Sequence, residues 1–238
     1  MTGLLALHGG GEYVAGDEAA MDALLLAAAD AAAQEAAATR PRIAIVPTAA
    51  ARQRPDAAVA TGERAFAAAA ERAGLTVEIG AARILSRRDA ADPRVLEGLA
   101  SAHLIHFPGG DPDLIPDVLH DTPAWAAVRR AYDVAGVIAG ASAGAMALAG
   151  PCWTPRGGVD GLGLLPGFAV LPHDGPGRLD RWRTQLDRVA WLALAEQTLV
   201  IGRPGGSWTV AGRGRVRIVE ADGTARAEAG PGETLSLG

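Results

Sequence analysis

The stretch Gly140-Ala141-Ser142-Ala143-Gly144 lies between the apolar run Val137-Ile138 and the helix-forming run Ala145-Met146-Ala147-Leu148. This order reads as a strand that bends abruptly into a helix. Such a bend holds one side chain at its apex, and small residues must flank it, because a Cβ there would meet the returning backbone. Ser142 takes the apex, with its hydroxyl facing outward and its backbone at the N-terminus of the helix. Neighbouring N–H groups can then stabilise an oxyanion. The arrangement is that of a nucleophile elbow. A plainer reading, a Gly-rich turn whose serine caps the helix, fits the same residues.

Outward from the elbow, short apolar runs alternate with longer helical ones. Strands are predicted at Leu4–Leu7, Arg42–Val46, Thr76–Ile79, His103–Phe107 and Val137–Ile138. Helices are predicted from about Asp17, as N-cap, to Ala38, from about Asp56 to Ala73 with Gly74 closing it, and from about Pro93 to Ala100. This alternation predicts an α/β fold, a mostly parallel sheet with helices on both faces. In such sheets the site lies at the carboxyl ends of the strands. The loops Gly9–Glu12, Gly109–Asp111 and Ala141–Ala143 all fall there. Toward the C-terminus, Trp208–Val210, Arg215–Val219, Ala225–Ala227 and Glu233–Leu235 alternate with Gly-rich turns and read as short antiparallel hairpins attached to the main sheet. With no repeat and no linker, residues 1–238 are expected to form one domain.

Composition narrows the chemistry. All 22 basic residues are arginine, so a lysine Schiff base, a Ser–Lys dyad and a P-loop lysine are excluded. No basic stripe with interleaved aromatics points to nucleic acid. Cys152 is the one cysteine, which rules out a disulfide framework or a cysteine-rich metal site, and no cofactor or metal is expected. Met1 to His8 lacks a basic n-region and a long apolar run, and no apolar stretch is long enough to span a bilayer, so a cytosolic location is expected. Gly9-Gly10-Gly11 follows a strand, but Val14 stands where a dinucleotide fingerprint needs glycine.

A serine hydroxyl needs a base within hydrogen-bond reach. Of His8, His103, His106, His120 and His173, the best candidate is His173, because it emerges from the apolar run Phe168–Leu171 and Pro172 at a strand end. Arg178, Arg181 and Arg183 follow, opening a helix predicted to run to about Ala193. His8 also ends a strand and could line the rim. The order Ser142, Asp160, His173 would suit an α/β-hydrolase, yet a step of 31 positions from serine to histidine leaves too little chain for that fold's intervening strands and helices.

Taken together, the motifs resemble the dipeptidase E and cyanophycinase family of serine peptidases, which have a class I glutamine amidotransferase-like fold. The resemblance rests on Phe107-Pro108-Gly109-Gly110-Asp111-Pro112-Asp113-Leu114-Ile115, on Gly140–Ala145, on Leu171-Pro172-His173 with its arginine-rich continuation, and on the tail Ile201–Trp208. It covers the chain from about Phe107 onward; earlier residues fit in element order only. It implies Ser142 as nucleophile, His173 as general base and then acid, and Gly110 and Ala143 as the N–H donors to the oxyanion. Gly109 and Asp111 are implied beside the substrate. Some members carry a glutamate in the segment matching Pro204–Gly206, where this chain has Gly205. Asp160, between Ser142 and His173, is the nearest acidic replacement, with Glu12 and Asp174 behind it. A chain without a third acid suggests a second reading, a catalytically impaired binding protein. Relatives act on small aspartyl peptides, and Arg178 and Arg181 are suited to a substrate carboxylate. The expected partner is a small peptide, not nucleic acid or membrane. A homodimer is expected by resemblance alone.

Overall fold

The structure, a computed structural model, describes residues 3–35, 38, 40–186 and 188–237. In chain order, the first half comprises β1 (Leu4–His8), α1 (Glu18–Ala33), β2 (Arg42–Ile45), α2 (Pro55–Ala73), β3 (Glu78–Ala81), α3 (Pro93–Ser101), β4 (Leu104–Phe107), α4 (Leu114–Leu119) and α5 (Pro123–Asp133). The second half comprises β5 (Val137–Ala141), α6 (Ala143–Leu148), β6 (Pro151–Thr154), β7 (Gly157–Asp160), β8 (Phe168–Leu171), α7 (Arg178–Arg183), β9 (Ala190–Leu194), β10 (Thr198–Gly202), β11 (Ser207–Gly212), β12 (Val216–Val219), β13 (Ala225–Ala229) and β14 (Thr234–Ser236). Among the described residues no helix is long and apolar enough to cross a membrane.

Eight strands form the main sheet in the order β14-β11-β10-β1-β5-β4-β2-β3. The five from β1 to β3 run parallel, and β10, β11 and β14 extend the sheet antiparallel. Side chains alternate across a strand, so a sheet covered on both sides needs apolar residues at every position. Leu5 and Leu7 pack into one core with Ile138, Phe107 and residues of α3, α5 and α6, while Ala6 faces the other with Met21, Leu24 and Phe66 of α1 and α2. The α/β architecture expected from the sequence is therefore present.

Local chemistry places several boundaries. Pro55 starts α2 and Gly74 ends it in the left-handed region at φ 65°. Helices α3 and α5 each begin with proline and are capped by Asp92 and Thr122. Asp17 precedes α1 but makes no capping bond, because its carboxylate is used elsewhere. Helix α1 stops at Ala33, short of the predicted Ala38; residues 36 and 37 lie outside the described residues.

The C-terminal half departs more from expectation. The hairpin strands divide: β11 and β14 join the main sheet, whereas β12 and β13 belong to a second sheet of order β13-β12-β9-β8. The helix predicted from Arg178 to about Ala193 is only α7, and Ala190–Leu194 is a strand instead. The apolar run Trp191-Leu192-Ala193-Leu194 is buried on both faces, which outweighs its helix propensity. Strands β6 and β7 form a hairpin of their own. Trp153 of that hairpin stacks on Trp182 of α7, with centroids 4.0 Å apart and planes at 6°, and its Nε1–H donates to Gln185.

Candidate active site

Strand register brings the elbow to the rim. β1 and β5 pair so that His8 lies beside Ala141, and β4 and β5 so that Phe107 lies beside Gly140. Ser142 follows immediately, at φ 50° and ψ −113°, a conformation that costs a side-chain-bearing residue about 1–3 kcal/mol. Its N–H is tied to the carbonyl of His8 at 3.0 Å. Both flanking glycines are sterically required. A Cβ on Gly140 would lie 2.5 Å from the backbone of Gly144, and one on Gly144 would lie 2.1 Å from the carbonyl oxygen of Phe107. The strand thus folds straight back into α6, and α6 seats on β4.

His173 reaches the same place from the second sheet. β8 and β9 run parallel, with Leu171 beside Ala193, so the residues that follow emerge side by side. The first strand delivers His173 and the second Glu196. Ser142 Oγ lies 2.9 Å from His173 Nε2, and His173 Nδ1 lies 2.7 Å from Glu196 Oε1. A carboxylate only accepts, so Nδ1 carries the hydrogen and Nε2 is left to accept from the serine hydroxyl. Positive φ at non-glycine residues concentrates here: His173 at 53° and Gln197 at 54° join Ser142.

The carboxylate on His173 is therefore Glu196, not Asp160. Asp160 ends β7, paired with Pro151, and its carbonyl accepts from His120 Nε2 at 2.9 Å. The Asp160 segment is a hairpin strand bonded to the residue that ends α4. Asp174 is also taken, in a two-bonded ion pair with Arg217 at 2.8 Å. Gly205 does not leave the site without an acid, because the acid comes from nine residues earlier in the chain. Reading β9 as helix hid Glu196; the signal was a four-residue apolar run, a polar Glu196-Gln197 turn and a second apolar run, Leu199-Val200-Ile201.

The loop after β4 lies against the serine: a Cβ on Gly109 would stand 3.1 Å from Ser142 Cβ. The N–H of Gly109 donates to Glu12 Oε1 at 2.8 Å. Gly110, at φ 150°, has no room for a Cβ, which would meet the Ala49 carbonyl oxygen at 2.3 Å. Ala143 opens α6 directly after Ser142. Asp111 faces Arg52 at 3.7 Å and bonds through its N–H to Ala49. Arg178 and Arg181 lie on α7, which begins five residues after His173, and neither guanidinium has an ion-pair partner among the described residues.

The remaining histidines hold structure. His103 joins Arg42 N–H to Glu35, whose carboxyl is held below its usual range first by His103 and then by Arg42. His106 is buried beside Tyr13 and Phe66, and burial pushes its pKa down to about 3. His8 does not face the serine; it bonds to Asp17 and to the N–H of Gly10. Cys152 is buried just past α6, and burial followed by the charge of Asp113 lifts its thiol to about 12, which keeps it protonated and unreactive.

The model of peptidase family S51 matches residues 13–201. No match is found among curated proteins. The crystal structure of a peptidase from an acI-B1 Actinobacterium superposes with a TM-score of 0.81 at 27% identity, covering 100% of this chain and 98% of that one. A protein of Listeria monocytogenes EGD-e, named as a candidate peptidase E, shares the fold with a TM-score of 0.58 at 17% identity, covering 88% of this chain and 98% of that one. The family match spans well over half of the chain, which belongs to peptidase family S51 and is a serine hydrolase.

Proposed function

We propose that this enzyme hydrolyses small acidic peptides, those with an aspartyl residue beside the scissile bond, through an acyl-enzyme on Ser142. The observation that carries the mechanism is the continuous line from Ser142 Oγ through the His173 ring to Glu196. Ser142 Oγ attacks the peptide carbonyl carbon as its proton passes to His173 Nε2. The C–N bond then breaks, with that proton going to the departing amine. Water attacks the ester, again giving its proton to Nε2, and Ser142 leaves with it. Glu196 holds the ring in the tautomer this requires and stabilises the imidazolium that forms. The oxyanion is assigned to the N–H groups of Gly110 and Ala143, since Glu12 already occupies that of Gly109.

The substrate preference is supported by Arg178 and Arg181, guanidinium groups without ion-pair partners among the described residues on the helix that follows His173. The binding-protein reading loses its motive, because His173 has a carboxylate partner. The test is release of free amino acids from a panel of Asp-containing dipeptides. The parent should release them, and Ser142→Ala should lose at least about a thousandfold in rate. Equal activity in the two proteins would remove Ser142 from the mechanism.

A further inference from the structure

Three successive carbonyls at the end of β1 hold the parts of the site in register. His8 O accepts from Ser142 N at 3.0 Å, Gly9 O from His173 N at 2.7 Å, and Gly10 O from Gln197 N, next to Glu196, at 2.8 Å. Where the Gly9 and Gly10 carbonyls point depends on how the chain turns at Gly10, which has φ 96°. That turn is fixed from below. The N–H of Gly10 donates to His8 Nδ1 at 3.1 Å, and His8 Nε2 lies 2.7 Å from Asp17 Oδ1. The carboxylate can only accept, so Nε2 carries the hydrogen and Nδ1 is left as the acceptor that Gly10 needs. Asp17 is itself held by the N–H of Tyr13 at 2.9 Å.

Both side chains are 2% exposed. A buried carboxylate and imidazole are costly to keep unless their bonds are satisfied, and here each bond runs toward the rim loop. Gly10 is also the surface on which the base rests: a Cβ there would stand 2.2 Å from His173 Cε1. We propose that His8 and Asp17 are a positioning pair for His173. They set the Gly9–Gly10 peptides, and through them the distance from the imidazole to Ser142, without touching substrate. For catalysis this rests on the Ser142–His173 mechanism above.

Two His8 substitutions separate positioning from bulk. His8→Asn keeps an acceptor near the Nδ1 position and loses the reach to Asp17; His8→Gln keeps the reach and loses the acceptor for Gly10. Two readouts follow each: the low-field proton of His173 Nδ1–H, assigned by its loss in His173→Gln, and labelling of Ser142 by a fluorophosphonate, resolved into KI and kinact. In His8→Gln the proton signal should broaden or move, and kinact should fall about tenfold or more with KI little changed. His8→Asn should recover kinact to within about threefold of the parent. An unchanged His173 signal and kinact in folded His8→Gln would overturn the proposal, as would equal losses in the two variants. If His8→Gln fails to fold, Asp17→Asn, of equal volume, takes its place: the proton signal and kinact must both change, and constancy of the two overturns it. A parent whose Ser142 is not labelled, but whose His173 proton responds to His8, would sink the serine mechanism and leave the positioning pair standing.

Discussion

Ser142, the proposed nucleophile, belongs to one sheet, and its proposed base and acid, His173 and Glu196, to another. Ser142 stands on β5, in the middle of the eight-stranded sheet, with both faces covered and glycines forced by backbone contacts of 2.1–2.5 Å. His173 and Glu196 stand at the ends of β8 and β9 in the four-stranded sheet, and the Glu196 side chain is 64% exposed. The first region is set by sterics, the second by charge and hydrogen bonding. The difference separates what each can tolerate: small changes of shape should damage the elbow, whereas changes of charge should damage the histidine side.

The strongest test of that division is His173→Ala, which leaves the elbow intact and should still cost about a thousandfold or more in fluorophosphonate labelling and peptide hydrolysis. A loss under tenfold would mean that the main sheet alone activates Ser142. Next comes Glu196→Gln, isosteric and uncharged. Because Glu196 faces solvent, water replaces part of its effect, and a loss of about 10- to 100-fold in kcat is expected, while Asp160→Asn should stay within about twofold. Reversal of that order would return Asp160 to the site.

On the steric side, Gly144→Ala should destabilise the fold by about 1–3 kcal/mol, read as a lowered urea midpoint. An unchanged midpoint would show that α6 can shift away from Phe107. A further test is in acid. His106 refuses a proton until about pH 3, whereas the unfolded chain takes it up near 6.5. The stability this gives is complete above pH 6.5 and is lost as pH falls toward 3, at up to about 1.4 kcal/mol per pH unit. Urea midpoints measured across that range should show the slope, and His106→Asn should flatten it.

Legibility in the sequence follows the same line. Gly140 and Gly144 are imposed by backbone contacts, so a strand, a Gly-x-Ser-x-Gly and a helix could be read as an elbow without coordinates. Alternating apolar runs likewise exposed the parallel sheet, and Pro172-His173 after Phe168–Leu171 pointed to the histidine that lies beside Ser142. Glu196 carries no such imprint. An exposed turn accepts many residues, and its meaning comes from β9 lying parallel to β8, a pairing between segments 22 residues apart. Misreading Ala190–Leu194 as helix removed the strand end on which the acid stands. The positioning role of His8 was hidden for a related reason: its bonds to Asp17 and Gly10 are local in sequence, but their object, His173, is not.

The stacked indoles of Trp153 and Trp182 have a practical consequence. Two such chromophores, stacked 4.0 Å apart in nearly parallel planes, share excitation, so their joint near-ultraviolet absorption differs from that of two separate rings. One ring rides on the β6–β7 hairpin and the other on the helix that follows His173, so the molecule carries its own optical gauge. A peptide that lifts the hairpin away from that helix would restore the spectrum of separate rings without any label being attached.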